Sequence, residues 1–178
     1  MDISEIGKQK LISRLTADFK TLQPSTVKGV GDDASILKYG NKTLSVTTAT
    51  FMEGIHFDLT YFPLQHLGYK VAVATFSNLY AMNAMPRQLF VSIAVSAKFS
   101  VEALDMLYQG IKLACERHEV DLTGGDTVPS VTGLCITVTG VGEVEHEKVT
   151  YRYTAQKGDL ICVSGSLGAA YMGLQILE

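Results

Sequence analysis

Apolar positions recur along this chain at two periods, one near 3.6 and one near 2, and they divide it into elements. Ile6, Leu11, Ile12, Leu15 and Phe19 fall near helical spacing, which predicts a helix from 5 to about 20 with Ser4 as its cap. Lys8, Lys10, Arg14 and Lys20 make its solvated face, and "LQPST" ends it. Residues 34–39 and 43–51 read as two strands joined at "GN", a hairpin-type turn. Residues 63–85 read as a helix buried on much of its surface, with Pro86 as the stop. "LFVSIAVS" predicts a strand. Ser100 caps a second long helix, with Val101, Leu104, Leu107, Ile111 and Ala114 on one face and Glu102 near its positive end. "VDLTGGDT" reads as a short strand running into a glycine loop, and "GLCITVTGVGEV" as a strand. "DLICVSGSLGAAYMGLQILE" reads as a strand, a glycine turn and the start of a helix.

A hairpin mixed with crossover helices favours an α+β domain built on a mixed sheet, over residues 1–148. Residues 149–178 form too little to bury their own apolar faces, so they read as the incomplete opening of a second domain.

Composition changes this picture little. The chain has 178 residues, 47% hydrophobic and 19% charged, which is ordinary for a globular protein. A net charge of -3 and the lack of a basic stripe argue against a nucleic-acid partner but leave a nucleotide ligand open. Cys115, Cys135 and Cys162 have no metal-ligand spacing and read as small buried hydrophobes in a reducing cytoplasm. The six methionines read as core filler. Met1 leads straight into a charged amphipathic segment, so no secretory leader is expected. No apolar run reaches the ~20 residues that cross a bilayer, so no membrane partner is expected.

Candidate chemistry sits in two glycine loops. "GVGDDAS" sets Asp32 and Asp33 behind two glycines, and "TGGDT" sets Asp126 behind Gly124 and Gly125. Free backbone N–H groups there suit phosphate, and carboxylates beside them suit Mg²⁺. Each is also an ordinary turn sequence. Converging carboxylates need a cation, since two charges ~4 Å apart repel by ~4 kcal/mol at an effective dielectric of ~20. "VTTATFMEGIHF" adds hydroxyls at Thr47 and Thr48 and an imidazole at His56, which is either a ligand contact or a strand-end histidine. His66, His118 and His146 show no metal spacing. Arg152 is either a phosphate clamp or a linker charge.

Five blocks then occur in a telling order: "GVGDDASIL", "VTTATFMEGIHF", "LGYKVAVATFSNLYAM", "DLTGGDT" and "TYRYTAQKGDLICVSGSLGAAYMGLQIL". Their order resembles that of the thiamine-monophosphate kinases, within the superfamily of aminoimidazole ribonucleotide synthetase and selenophosphate synthetase. The resemblance implies an N-terminal domain whose helix-covered sheet dimerises through strands into a shared barrel-like core. It implies ATP and thiamine monophosphate as ligands, Mg²⁺ as the cofactor and a homodimer in the cytoplasm. It gives Asp33, Thr47, Thr48 and Asp126 to metal, Gly125, Asp126 and Arg152 to nucleotide, and His56 to substrate.

The sequence also departs from that pattern. Ala49 and Asn78 stand where the family carries metal-binding aspartates, and Val128 ends the glycine loop where it carries threonine. Two functions therefore remain open: an ATP-dependent kinase making thiamine diphosphate, or a non-catalytic relative that keeps the fold and dimer interface and binds nucleotide or a protein.

Overall fold

The computed structural model describes residues 3–177. Its sheet grows outward from the hairpin. β2 (Ser35–Tyr39) and β3 (Lys42–Met52) pair antiparallel from Ser35↔Val46 to Tyr39↔Lys42, turning at Gly40 with φ 61°. A short strand unseen in the sequence, β1 (Thr26–Lys28), lines the outer edge of β2. β6 (Leu134–Val144) pairs antiparallel with β3 on one side and with β4 (Met85–Ser96) on the other. β5 (Asp121–Ser130) closes the order β1-β2-β3-β6-β4-β5 and runs parallel to β4. The α+β class with a mixed sheet, as predicted, is what forms.

Two helices cover one face of this sheet. α3 (Leu64–Ala81) buries Leu67, Val71, Phe76 and Leu79; α4 (Val101–His118) buries Leu107, Ile111, Ala114 and Cys115. Ser100 caps α4 as predicted, accepting from the Ala103 N–H at 3.2 Å. The helices nearly touch at two glycines. A Cβ on Gly68 would lie 1.9 Å from the Leu107 carbonyl oxygen, and one on Gly110 would lie 1.9 Å from that of Gln65. Alternate sheet residues (Phe51, Val91, Ile93, Leu134, Ile136 and Val138) complete the main core against these helices. A second, smaller cluster joins Ala34, Ile36, Leu79, Met82 and Ala84, with Val149 and Tyr151 folded back onto it.

Several predicted elements are corrected. The first helix is two pieces, α1 (Ile3–Ile6) and α2 (Lys8–Thr16), because Gly7 takes φ 73° and breaks the ladder; Ser4 lies within α1 rather than at its cap. α3 stops at Ala81, before Pro86. Asn83 adopts φ 59°, the Leu79 carbonyl accepts from both Met82 and Ala84, and Pro86 lies inside β4 beside an irregularity of register that tolerates its missing N–H. "TGGD" is no loop but the middle of edge strand β5. Residues 159–164 form no strand: Leu160 and Ile161 are 89% and 96% exposed, with no strand among the described residues beside them to take their hydrogen bonds, and they are followed by α5 (Ala169–Leu177). Only Cys115 of the three cysteines is buried, and of the methionines described only Met82 is core. Met1 lies outside the described residues. No helix among them is long and apolar enough to cross a membrane.

Candidate functional site

The short loop between β1 and β2 carries the acidic pair. Gly31, at φ 115°, turns the chain into Asp32 and Asp33. Asp32 folds under the loop: its side chain is 1% exposed, its Oδ1 accepts from the Asp33 N–H at 3.0 Å, and its Oδ2 has no hydrogen-bond partner. An orphaned carboxylate oxygen is costly unless a cation approaches it.

A cation of the chain itself reaches the pair, though not that oxygen. Arg152 begins a short 3-10 turn (Arg152–Thr154), and its guanidinium forks onto Asp33: Nε donates to Oδ2 at 2.9 Å and the terminal nitrogen donates to Oδ1. The same Nε lies 3.7 Å from Asp32 Oδ1. Such a two-pronged pair is the geometry in which guanidinium recognises carboxylate best. The Arg152 hydrogen bonds hold the Asp33 carboxyl below its usual range, against the opposing effect of partial burial, and the charge of Arg152 adds to the lowering. The turn is fixed from behind, where Tyr151 stacks on Tyr153 at 5.2 Å and the Lys28 ammonium sits 5.3 Å from the Tyr153 ring centre.

β3 forms the adjoining wall, and its two-residue period separates the predicted threonines. Thr47 faces α3: its hydroxyl donates to the Asp33 carbonyl at 3.0 Å and accepts from the Asn78 amide at 3.3 Å. Ala49 lies on the same side, packed against the main core. Thr48 points to the opposite face, where its hydroxyl meets that of Thr139 at 2.6 Å. Thr47 and Thr48 therefore cannot hold the same ion from this strand, because adjacent strand residues face opposite ways.

His56 lies just past the end of β3. Its Nδ1 accepts from the Met52 N–H at 3.1 Å, which leaves Nε2 of this exposed side chain as the nitrogen open to a partner; its carbonyl takes the Lys70 ammonium at 2.9 Å. Glu53, which sequence reasoning left unassigned, pins the same corner: Oε2 accepts from the Leu134 N–H at 2.7 Å.

Gly125 and Asp126 lie elsewhere. A Cβ on Gly125 would sit 1.7 Å from the Val91 carbonyl oxygen, so only glycine lets β5 lie this close to β4. Asp126 is exposed, its Oδ1 taken by the Thr127 N–H at 2.8 Å. From β3 to β5 the sheet order crosses β6 and β4. Three strand spacings amount to roughly 14 Å, too far for Asp126 and the acids beside Thr47 to share one ion.

The oxygens on this surface do not fit a multi-ion Mg²⁺ cluster. Magnesium needs six ligands at short range, several of them carboxylate, phosphate or water oxygens. Here Asp33 is engaged by Arg152, Ala49 offers no oxygen, and the Asn78 amide is turned to donate to Thr47. Among the described residues, no group of three or more His, Cys, Asp or Glu could hold a metal ion.

Comparison with known proteins gives this geometry its context. The profile of the AIR synthase related protein, N-terminal domain, matches residues 31–144. The thiamine-monophosphate kinase of Bacillus subtilis (strain 168) is 34% identical over 161 residues, 89% of this chain and 49% of that protein. The chain spans about half the length of the curated relatives it matches. The solved structure of AaThiL complexed with AMPPCP and TMP superposes with TM-score 0.87 at 30% identity, over 99% of this chain and 54% of that one. Thiamine-monophosphate kinase from Stenotrophomonas maltophilia K279a superposes with TM-score 0.72 at 31% identity, over 94% and 52%. Matched from the acidic loop to the end of β6, and homologous to thiamine-monophosphate kinases over most of its length, the chain belongs to the AIR synthase related family through that family's N-terminal domain.

Proposed function

We propose that this chain is the nucleotide-handling half of a thiamine-phosphate kinase, a transferase moving the γ-phosphoryl of ATP onto thiamine monophosphate in thiamine diphosphate biosynthesis. The observation that carries the reading is the near-complete superposition on AaThiL, a protein solved with AMPPCP and TMP. The relatives named above are kinases, and nothing in them favours the non-catalytic alternative.

Phosphoryl transfer asks chiefly for positioning and charge stabilisation. Arg152 supplies a planar fork suited to phosphate oxygens. His56, held through Nδ1 by the Met52 N–H, leaves Nε2 for a substrate contact. Gly125 lets β5 close on β4 and so sets Asp126 on the exposed sheet edge. Mg²⁺ would serve to neutralise the phosphates. With Ala49 and Asn78 in place of acids, this chain gives it few ligands, so the nucleotide itself must bring most of the ion's oxygens.

Residues 149–178 read as the opening of a second domain. Leu160, Ile161, Leu167 and Ile176 are more than 80% exposed and call for a cover that one short helix cannot give. The sheet face opposite α3 and α4, with Thr48, Thr50, Met52 and Phe90 exposed, supports a homodimer.

The test is chromatographic detection of thiamine diphosphate from ATP and thiamine monophosphate. The expected result is product above a no-protein control, with a rate still rising at Mg²⁺ concentrations of tens of millimolar. No product from folded protein at any Mg²⁺ concentration overturns the reading.

A further inference from the structure

We infer that α2 is a docking arm, whose basic and apolar face seats in the acidic cleft between α4 and β5 of a second copy of this chain. The inference is independent of the phosphoryl-transfer reading and of the pairing through sheet faces, and uses neither surface.

The arm is an amphipathic helix with no surface to pack on. Leu11, Ile12 and Leu15 share one face of α2, and Phe19 and Leu22 carry the apolar row past its end. Yet α2 buries no residue, and Leu15, Phe19 and Leu22 are 65%, 82% and 82% exposed. Its charged residues are Lys8, Lys10 and Arg14, with no acid among them. A helix this short is marginal in water by itself and gains most of its stability from an apolar surface that covers it.

A surface of complementary chemistry lies at the other edge of the sheet. α4 ends at Glu119, whose φ of 55° turns the chain into β5. The helix leaves that strand uncovered, so that residues 121–129 are all exposed. Between the two runs a cleft of about 830 Å³. Its floor is apolar: Cys115 and Val120 are buried there, and Leu122 is half exposed. Its rim sets Asp105, Glu116, Glu119 and Asp121 against Lys112 alone, an excess of three negative charges. The excess on α2 is three positive charges. Lengths also agree. From Asp105 to Glu116 the rim extends ~16 Å along α4, and the nine residues of α2 extend ~13 Å. An amphipathic helix laid into an apolar groove is a recurring mode of recognition, and opposite charges at the rim fix its partner and register.

The tether points to a second copy. β1, from which α2 hangs, and β5 are opposite edges of the sheet, five strand spacings or ~24 Å apart. The nine residues between Thr16 and Thr26 reach ~30 Å only when fully extended, and they would have to pass around the sheet. The chain's own cleft is therefore at the limit of reach, whereas a neighbour's is not limited by the tether. One short helix buries less than the ~1,200 Å² of a standard interface, so the contact should be weak and should form only as concentration rises.

The test uses the whole chain. Isotopically heavy and light copies are mixed in equal amounts at ~100 µM, where a contact of this size is populated, and coupled with a carbodiimide that joins amine to carboxylate at zero length. Mass spectrometry should find Lys8 or Lys10 linked to Glu116, Glu119 or Asp121, with heavy–light links as frequent as unmixed ones. Absence of these links overturns the proposal, as do links confined to copies of one isotope.

A charge exchange gives the second readout, by analytical ultracentrifugation. One variant carries Lys8→Glu and Arg14→Glu, the other Glu116→Lys and Glu119→Lys, all at exposed positions. Each alone should lose about tenfold in the concentration-dependent association constant, and their equimolar mixture should regain it, because each arm then meets a cleft of opposite charge. Folded variants that associate as well as the unaltered chain, or a mixture no stronger than its components, overturn the proposal.

Discussion

Ala49→Asp is the most informative single change, because it writes back the carboxylate that the family pattern expects. The side chain at 49 points into the layer between sheet and helices. Thr47 precedes it on that face, Phe51 follows it, and fully buried Val138 lies opposite it on β6. Two costs follow. Residues two apart on a strand are ~7 Å apart, so a charge at 49 lies roughly that far from Asp33, which Thr47 holds by its carbonyl. At an effective dielectric of ~20 that repulsion is about 2 kcal/mol, reduced by the Arg152 charge already on Asp33. The new carboxylate also loses water against apolar neighbours, while the nearest hydroxyl, Thr47, is committed to Asp33 and Asn78; an unsatisfied group of this kind costs about 1–3 kcal/mol. The sum is about 2–4 kcal/mol. For a chain of this size that lowers Tm by roughly 5–15 °C.

The same carboxylate should make the site accept a cation. If 10 mM Mg²⁺ is about ten times the variant's Kd, binding returns about 1.4 kcal/mol, a rise in Tm of roughly 3–5 °C. The unaltered chain should move by less than about 1 °C on the same addition. Differential scanning calorimetry with and without Mg²⁺ reads both effects. The reasoning fails if Ala49→Asp melts within 1 °C of the unaltered chain, or if Mg²⁺ stabilises both chains equally.

Three further outcomes can be checked on the same material. Gly68→Ala gains about 1 kcal/mol of helix propensity but drives a methyl into the Leu107 carbonyl, at the top of the ~3 kcal/mol overpacking range, so urea unfolding should give a net loss of about 2 kcal/mol; an unchanged midpoint would mean that α3 and α4 are not in this contact. The Asp33 carboxyl sits below its ordinary 3.8, so its stabilising pair is fully present above that value and lost as pH falls through the lower folded value. The stability gap between the unaltered chain and Asp33→Asn should then be flat from pH 7 to 5 and close in stronger acid, and a gap that widens on acidification contradicts the ion pair. If the uncovered sheet face pairs two copies, Phe90→Glu should convert a dimer to a monomer in light scattering with little change in the melting curve; an intact dimer places the interface elsewhere.

The fold was legible in the chain wherever one face of an element is buried. β3 and β6 keep a clean alternation of buried and exposed positions, and both long helices keep a buried stripe at helical spacing, because sheet and helices share one core. The reading went wrong where tertiary pairing overrode local chemistry. "TGGD" has the composition of a turn, yet β4 offers it a full parallel ladder, and its second glycine is there to let that ladder close. "LICVSG" has the composition of a strand, yet no neighbour within the described residues offers it hydrogen bonds. β-propensity describes what a segment can do beside a partner, and it does not say whether the partner exists.

The site was legible in its residue types, while its spatial grouping is set by the fold. The resemblance gave both Thr47 and Thr48 to metal, and the strand sends their side chains to opposite faces. The sheet order sets "GDD" and "GGD" roughly three strand spacings, ~14 Å, apart within one chain. The partner that Asp33 takes instead lies 119 residues away along the chain, in a segment whose only local signal is one arginine between two tyrosines. What brings it there is the packing of Val149 and Tyr151 onto Ile36, Leu79 and Met82. That apolar contact fixes the chain one residue before Arg152 and leaves the guanidinium over the acidic loop. An electrostatic feature of the site is therefore set by a hydrophobic one outside it. Tyr151→Ala should accordingly loosen Arg152 from Asp33 without touching either charge, so that a further Asp33→Asn change costs less stability in urea unfolding than it does in the unaltered chain; an equal cost in both backgrounds would mean that the apolar contact does not place the guanidinium.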